Sequence, residues 1–112
     1  INLSSVMGKR GVANTTAYCA ANFAIQGFTQ ALAQGLAPYR ISVNAICPGT
    51  IDTARMEVLG REELWQSIVD AIPMKRAASD EEVAGLIAYL CSPSTAYFTG
   101  QSINIDGGVV MW

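Results

Sequence analysis

Continuous apolar runs alternate along this chain with segments in which apolar residues recur every three or four positions. The run at residues 1–5 predicts the end of a strand, and residues 40–47 predict a strand buried on both faces of a parallel sheet. Residues 101–105 predict a last strand, followed by a turn at residues 106–108. Strands separated by long helices predict an α/β fold built on a parallel sheet.

The helical spacing predicts three helices. The longest covers about residues 17–39, and its apolar stripe, widened by alanines, suits close approach by another helix or a sheet. A shorter helix covers about residues 61–71, and a third runs from a capping box of Ser79 and Glu82 to about Cys91. The stripe of the longest helix comprises Ala21, Ile25, Phe28, Leu32 and Leu36, and the inner face of the third comprises Val83, Leu86, Ile87 and Leu90.

Composition and charge narrow the function classes. Of the 112 residues, 51% are hydrophobic and 14% are charged, which favours a packed core over disorder. The net charge is −2 and the basic residues are scattered, so nucleic acid is not an expected partner. No apolar run reaches the roughly 20 residues of a membrane span, and no membrane association is expected. The first residues match no signal peptide and suggest a strand that belongs to a longer chain.

The cysteine and histidine counts argue against metal sites and triads. The three cysteines, Cys19, Cys47 and Cys91, fit neither a disulfide framework nor a zinc ligand set. They are expected to be buried, reduced thiols of a cytoplasmic protein. The absence of histidine excludes a Ser-His-Asp triad and a His-ligated metal within these residues, and no metal site is predicted.

Two hydroxyl groups could form an acid/base pair. Ser5 lies where the first strand ends, and Tyr18 lies near the start of the longest helix. Parallel α/β sheets bind ligands beyond the carboxyl ends of their strands. A hydroxyl that fixes a carbonyl and a phenol that moves a proton would be suitably placed there. On spacing alone, a backbone-bonding turn serine and a packed tyrosine are the favoured interpretation.

A second candidate segment follows the second predicted strand. Pro48 and Gly49 end that strand, and a glycine lets the backbone turn close to a ligand. Thr50 and Thr53 could donate hydrogen bonds to an amide or a phosphate. An ordinary strand-to-loop turn is the alternative, and the segment taken by itself favours it.

Together these segments resemble the short-chain dehydrogenase/reductase family, and the resemblance covers nearly the whole chain. It rests on the order and spacing of the segments more than on any single motif. The matching segments are Ile1-Asn2-Leu3-Ser4-Ser5 with Gly8, Tyr18 with its helix, Ile41-Ser42-Val43-Asn44-Ala45-Ile46, Pro48-Gly49-Thr50-Ile51-Asp52-Thr53 and Thr99-Gly100-Gln101-Ser102-Ile103-Asn104-Ile105-Asp106-Gly107-Gly108.

The resemblance implies that residues 1–112 form the C-terminal half of a doubly wound, Rossmann-type parallel sheet, with about three strands and flanking helices. A missing N-terminal half would carry the dinucleotide loop and the choice between NAD and NADP. The implied reaction is hydride transfer between NAD or NADP and a small-molecule carbonyl or alcohol substrate. Family members are commonly homo-oligomers, so a tetramer or dimer is expected for an intact parent of roughly 250 residues.

The resemblance also implies roles for individual residues. Ser5 would hydrogen-bond the substrate carbonyl or hydroxyl, and Tyr18 would be the acid/base residue, in contact with the cofactor. Asn22 occupies the position of a family lysine that holds the nicotinamide ribose and favours ionisation of the tyrosine. The segment expected to hold the nicotinamide and its carboxamide comprises Pro48, Gly49, Ile51 and Thr53.

The asparagine leaves three hypotheses open. Without a neighbouring cation, a tyrosine is only about 0.1% phenolate at pH 7, although Asn22 could still bind a ribose hydroxyl. The first hypothesis is an oxidoreductase half-domain that is inactive alone, and the second is a non-catalytic, cofactor-binding or scaffold member. The third is an interaction module that pairs with full-length relatives through the longest helix. Gly35 is a second departure, and it costs that helix roughly 1 kcal/mol relative to alanine.

Residues 56–74 occupy the position of the family's substrate lid. Their apolar side chains predict either a partly apolar pocket or the buried face of a lid helix, and the amphipathic spacing favours the helix. These side chains are Met56, Val58, Leu59, Leu64, Trp65 and Ile68. The identity of the substrate is not predicted.

Overall fold

Three parallel strands form a sheet in the computed structural model of this chain, which describes residues 1–53 and 62–112. The strands are β1 (Asn2–Leu3), β2 (Ala45–Pro48) and β3 (Ser102–Ile105), and they lie in the order β1-β2-β3. Both pairings are parallel, as expected where long crossover connections join the strands. The predicted α/β fold, with three strands and flanking helices, is confirmed.

The central strand β2 forms the core of the sheet. Ala45, Ile46 and Cys47 are fully buried, which confirms the prediction of a strand covered on both faces. The strand begins later than residue 40, because Arg40 has a left-handed φ of 59° at the end of a 3-10 turn. The buried Asn44 precedes the strand, donates to Phe98 O (2.9 Å) and accepts from Gln101 N (3.1 Å), which fixes the entry to β3.

Three α-helices are described. Helix α1 spans Thr16–Leu36 and continues as the 3-10 turn Ala37–Tyr39, which accounts for the predicted end at residue 39. Helix α2 spans Glu62–Ala71 and α3 spans Asp80–Leu90, close to the predicted bounds. In α2, Trp65 and Ile68 are partly buried and Leu64 is exposed. The predicted lid residues Met56, Val58 and Leu59, and the predicted helix start at Arg61, lie outside the described residues.

The face of α1 that packs on the sheet is not the apolar stripe. Its buried residues are Cys19, Asn22, Thr29 and Ala33. Thr29 Oγ accepts a hydrogen bond from Asn2 Nδ2 of β1 at 2.9 Å, so small and polar groups mediate this contact. Phe28, at the centre of the predicted stripe, is 58% exposed in this chain.

Helix α3 presents the predicted inner face, with Leu90 buried and Val83, Leu86 and Ile87 partly buried. The prediction of three buried cysteines is wrong for one of them. Cys19 and Cys47 are buried free thiols, whereas Cys91 is exposed at the C-cap of α3. A helix cap has one side open to solvent, which the sequence pattern alone does not reveal.

Close backbone approach fixes the end of β2. Gly49 N donates to Ile105 O at 3.0 Å, in line with the β2–β3 pairing. A Cβ at Gly49 would lie 2.8 Å from Asp106 Cβ and 2.9 Å from Asp106 Cα, closer than packed carbon atoms approach. The absence of a side chain at this position is therefore a packing requirement.

We expect Gly49→Ala to destabilise the chain by about 1–3 kcal/mol, because the added methyl group overpacks a contact with backbone. The matched control is Gly27→Ala in the middle of α1, where an added Cβ meets nothing within 4 Å. That substitution should stabilise the chain by up to about 1 kcal/mol through helix propensity. Urea denaturation followed by circular dichroism measures both. Equal effects of the two substitutions would contradict the packing argument.

Helix α3 begins at the predicted capping box. Ser79 Oγ accepts from Glu82 N at 3.3 Å, and the Glu82 carboxylate accepts from Ser79 N at 2.9 Å. The guanidinium of Arg76 donates to both carboxylate oxygens of Glu82, each at 2.7 Å. The hydrogen bond from Arg76, followed by that from the Ser79 backbone, lowers the pKa of Glu82 to about 2 from an ordinary value of 4.5.

This shift predicts a pH dependence of stability. The folded-state pKa of Glu82 lies below its unfolded value, so its contribution is present above pH 4.5 and is lost as the pH falls towards 2. Glu82→Gln keeps an acceptor and removes the charge. We expect the wild-type chain to be more stable than this variant at pH 7, by the small margin typical of exposed pairs, with no difference at pH 2. Urea midpoints at several pH values test this, with Asp70→Asn as a surface control. A margin that is independent of pH would contradict it.

Candidate active site

Part of the predicted site lies beyond the carboxyl ends of the strands. Ser5 lies two residues beyond β1, Pro48 closes β2 and Asp106 follows β3. The hydrogen bonds Ser4 N to Ile46 O (2.9 Å) and Gly49 N to Ile105 O (3.0 Å) hold these ends side by side. This edge is where parallel α/β sheets bind their ligands.

Ser5 is a buried turn residue. It caps the 3-10 turn Val6–Gly8, and its Oγ accepts a hydrogen bond from Met7 N at 3.2 Å. The backbone-bonding interpretation of this serine is therefore confirmed. The bond uses an acceptor lone pair, so the hydroxyl hydrogen stays available for a carbonyl oxygen.

Two hydrogen bonds fix the loop after β1 to helix α1. Ser4 Oγ donates to Asn22 O at 3.0 Å, and Gln26 Nε2 donates to Gly8 O. A Cβ at Gly8 would lie 2.7 Å from both Asn22 O and Ser4 Oγ, so the loop and the helix meet without an intervening side chain. This contact sets the position of Ser5 relative to the first turns of α1.

Tyr18 lies in the first turn of α1 with 53% of its surface exposed. About half of this side chain is covered and the rest is open to solvent, which is compatible with the favoured interpretation of an amphipathically packed tyrosine. Asn22 lies one helical turn later and is only 7% exposed. Its Nδ2 donates to Tyr18 O at 2.8 Å, so the amide is turned back along the helix. A neutral, internally bonded side chain thus stands next to the tyrosine.

The loop Pro48–Thr53 is held on two sides. Beyond the contact of Gly49 with β3, Ile51 pairs with Ala78 in an isolated parallel bridge. Ala78 N donates to Thr50 O at 3.1 Å, and Asp52 N donates to Ala78 O at 2.9 Å. Thr53 is exposed. Sequence reasoning missed Ala78, because a small residue that acts through its backbone leaves no pattern.

Charged groups line a cleft beside this loop. The cleft has a volume of about 390 Å³ and adjoins Thr50. Its charged lining residues are Arg76, Glu82 and Asp106. The carboxylate of Asp106 accepts hydrogen bonds from Gly108 N (2.9 Å) and Val110 N (2.7 Å). These two bonds stabilise the predicted glycine turn. The cleft therefore presents one ion pair and one capped carboxylate.

Cys47 lies under the site, at the end of β2. Burial raises the pKa of its thiol, and the charge of Lys9 partly opposes that effect. Lys9 Nζ donates to the backbone oxygens of Ser102 and Trp112, each at 2.8 Å. A neutral, fully buried thiol is a packing group in this position.

Neither a metal-ligand cluster nor a membrane-spanning helix is found in the described ranges, 1–53 and 62–112. No group of three or more His, Cys, Asp or Glu side chains there could hold a metal ion. No helix in that part of the chain is long and apolar enough to cross a membrane.

Comparison with known proteins gives relatives of more than twice this length. Residues 1–110 match the family model described as enoyl-(acyl carrier protein) reductase. Nodulation protein G of Azospirillum brasilense is 45% identical over 109 residues, which are 97% of this chain and 44% of that protein. The 3-oxoacyl-[acyl-carrier-protein] reductase of Aquifex aeolicus is 40% identical, with the same coverage of 97% and 44%.

A solved structure extends the similarity to three dimensions. The crystal structure of YwfH, an NADPH-dependent reductase involved in bacilysin biosynthesis, matches with a TM-score of 0.89 at 35% identity. The match covers 97% of this chain and 45% of that chain. The sheet, the helices and the family match agree, and this chain belongs to the short-chain dehydrogenase/reductase family, matching a C-terminal portion of that fold.

Proposed function

We propose that this chain carries the substrate and nicotinamide end of an NAD(P)-dependent oxidoreductase that interconverts a carbonyl and an alcohol. The observation that carries this proposal is the contact between Ser4 Oγ and Asn22 O. It joins the loop of Ser5 to the first turns of α1, and the donation from Ser4 N to Ile46 O at 2.9 Å holds the same loop beside β2. A reductase site needs a carbonyl-binding hydroxyl, a proton donor and a nicotinamide-binding loop at one edge of the sheet.

Each residue has a chemical role in this proposal. The Ser5 hydroxyl donates to the substrate oxygen, and the Tyr18 phenol gives that oxygen its proton during reduction and removes it during oxidation. The nicotinamide, when bound, supplies or accepts the hydride. Pro48, Gly49 and Ile51 shape the loop that faces it, and the exposed Thr53 hydroxyl is free to hold its carboxamide.

The residues present fit the dinucleotide only in part. The loop Pro48–Thr53 is held by its bridge to Ala78, and its exposed Thr53 is a candidate partner for the carboxamide. At position 22, in contrast, a ribose-binding cation is replaced by a buried amide that donates to Tyr18 O. The loop therefore supports cofactor binding, and Asn22 weakens both ribose binding and proton transfer. NADP is the favoured cofactor, because YwfH is NADPH-dependent.

Relatives suggest the class of substrate. They include 3-oxoacyl-[acyl-carrier-protein] reductases and an acetoacetyl-CoA reductase of Allochromatium vinosum, at 40% identity for the latter. A 3-oxoacyl thioester, whose ketone lies two carbons from the thioester, is therefore the first substrate to test.

One observation favours a second function. Asn22 is buried and bonded within its own helix, so it serves the packing of α1 without serving the chemistry of Tyr18. A protein that binds the dinucleotide or a partner subunit without turnover would tolerate this residue. The exposed Phe28 at the centre of the apolar stripe of α1 supports a homo-oligomer in either case.

A chimera distinguishes the two functions. In it, this chain replaces the matching region of nodulation protein G of Azospirillum brasilense, which supplies the preceding residues. We expect slow reduction of acetoacetyl-CoA by NADPH, and an increase of about 10²–10⁴-fold in kcat for Asn22→Lys, the usual range for positioned acid/base catalysis. Tyr18→Phe is the control and should abolish turnover in both backgrounds. Fast turnover with Asn22, unchanged by lysine, would exclude the non-catalytic function and refute our account of Asn22.

The chain on its own should self-associate and show no measurable NAD(P)H oxidation. Leu3 on β1 is 63% exposed and Phe28 on α1 is 58% exposed, so apolar surface lies open on two elements. Sedimentation, with Phe28→Ser as a variant that should lower the association, and titration with NADH and NADPH measure this. A monomer with micromolar affinity for either dinucleotide would contradict the expectation.

A further inference from the structure

The loop that is proposed to hold the nicotinamide is fastened to a segment far away in sequence. Within the described ranges, residues 50–52 exchange two backbone hydrogen bonds with Ala78, at 3.1 and 2.9 Å, in an isolated parallel bridge. Two hydrogen bonds are a weak connection by themselves. Its geometry depends on what holds residue 78 in place.

Two side chains hold the segment that contains Ala78. Arg76 donates to both carboxylate oxygens of Glu82, and it also donates to Ala77 O at 3.1 Å. Glu82 in turn accepts from Ser79 N at 2.9 Å. Arg76 and Ser79, at the two ends of residues 76–79, are therefore both hydrogen-bonded to Glu82 in the first turn of α3. Ala78 lies between these two attached residues. A bidentate guanidinium–carboxylate pair fixes orientation as well as distance.

The same segment closes the cleft beside the loop. Arg76, Ala78 and Glu82 line that cleft together with Thr50 and Asp106. At β3, Gly49 N donates to Ile105 O at 3.0 Å and Gly49 packs closely on Asp106, and these contacts hold the loop to that strand. The loop thus has one rigid neighbour, β3, and one neighbour whose position is set by an exposed ion pair.

We propose that Arg76 and Glu82 are positioning residues for the loop Pro48–Thr53: the ion pair fixes Ala78, and Ala78 fixes the backbone that faces the nicotinamide. The inference rests on the proposed function for the identity of the ligand only. The mechanical link between the ion pair and the loop exists in the chain without any cofactor. Neither residue touches the reacting atoms, so neither is a catalytic residue.

Hydrogen exchange in the full 112-residue chain tests the link. The first variant, Arg76→Gln, removes both the charge and the bidentate hydrogen bonds of the guanidinium. The second, Arg76→Lys, keeps the charge but not the bidentate geometry. Asp70→Asn is the matched control, because Asp70 accepts an exposed side-chain hydrogen bond from Gln66 at 2.9 Å within α2. Wild type and variants are labelled at the same protein concentration, so that the protection given by self-association is matched between them.

We expect Arg76→Gln to speed exchange about two- to fivefold in peptides that cover residues 48–53 and 76–79, as suits loss of an exposed ion pair. Exchange within residues 83–90 should stay unchanged, because the capping box of Ser79 and Glu82 remains. Arg76→Lys should give an intermediate rate, and Asp70→Asn should match the wild type. Equal acceleration of α3 and the loop would mean a role in helix stability alone, and it would overturn the proposal, as would an unchanged loop.

A second arm separates this inference from the proposed function. In the chimera with nodulation protein G carrying Asn22→Lys, Arg76→Gln should raise the KM for NADPH about two- to fivefold and leave kcat nearly unchanged. A fall in kcat at constant KM would overturn positioning of the cofactor loop. If the chimera binds no dinucleotide while the exchange results hold, the proposed function fails and the mechanical link stands.

Discussion

The site depends on the contact between the loop after β1 and the second turn of α1. Ser4 Oγ bonds to Asn22 O, and Gly8 approaches the same carbonyl so closely that no side chain could fit. Because that carbonyl belongs to the backbone, the contact survives changes in the side chain at position 22. It positions Ser5, which is buried in its own turn, relative to Tyr18, which is about half exposed on the helix. The second contact of this helix, from Asn2 to Thr29, has the same polar character.

Polar packing of this kind explains what the sequence could and could not predict. The strands β2 and β3 and the start of α3 were predictable, because burial on both faces gives a continuous apolar run and a capping box has fixed spacing. The face of α1 that meets the sheet was not. Apolar periodicity pointed to the stripe around Phe28, whereas the sheet is contacted by Asn22 and Thr29, whose small side chains let the backbones approach. Periodicity reports which residues avoid water, and it does not report which neighbour covers them.

The candidate site also contains residues that the sequence could predict and residues that it could not. Ser5, Tyr18 and Pro48 to Thr53 were found through the resemblance, and the structure places them on elements that meet at one sheet edge. The partner of the loop, Ala78, left no trace in the sequence because it contributes only its N–H and C=O groups. Arg76 and Glu82 were visible only as a scattered basic residue and a capping residue. Their joint effect on a loop some 25 positions away follows from the fold, since the end of β2 and the start of α3 lie side by side (Ile51 to Ala78).

Residue 22 takes part in both the packing and the proposed chemistry of the site. Position 22 carries two separable duties: its backbone carbonyl anchors the loop of Ser5, and its side chain lies beside Tyr18. An asparagine fulfils the first duty completely, and it satisfies its own buried amide by bonding to Tyr18 O. It fulfils the second duty poorly, since it brings no charge to the phenol. Under the proposed function, replacing a lysine here need not disturb the fold around it, because the loop of Ser5 is anchored by the backbone carbonyl of residue 22. The proposed reductase site can in this way keep its shape while the electrostatic part of its chemistry changes.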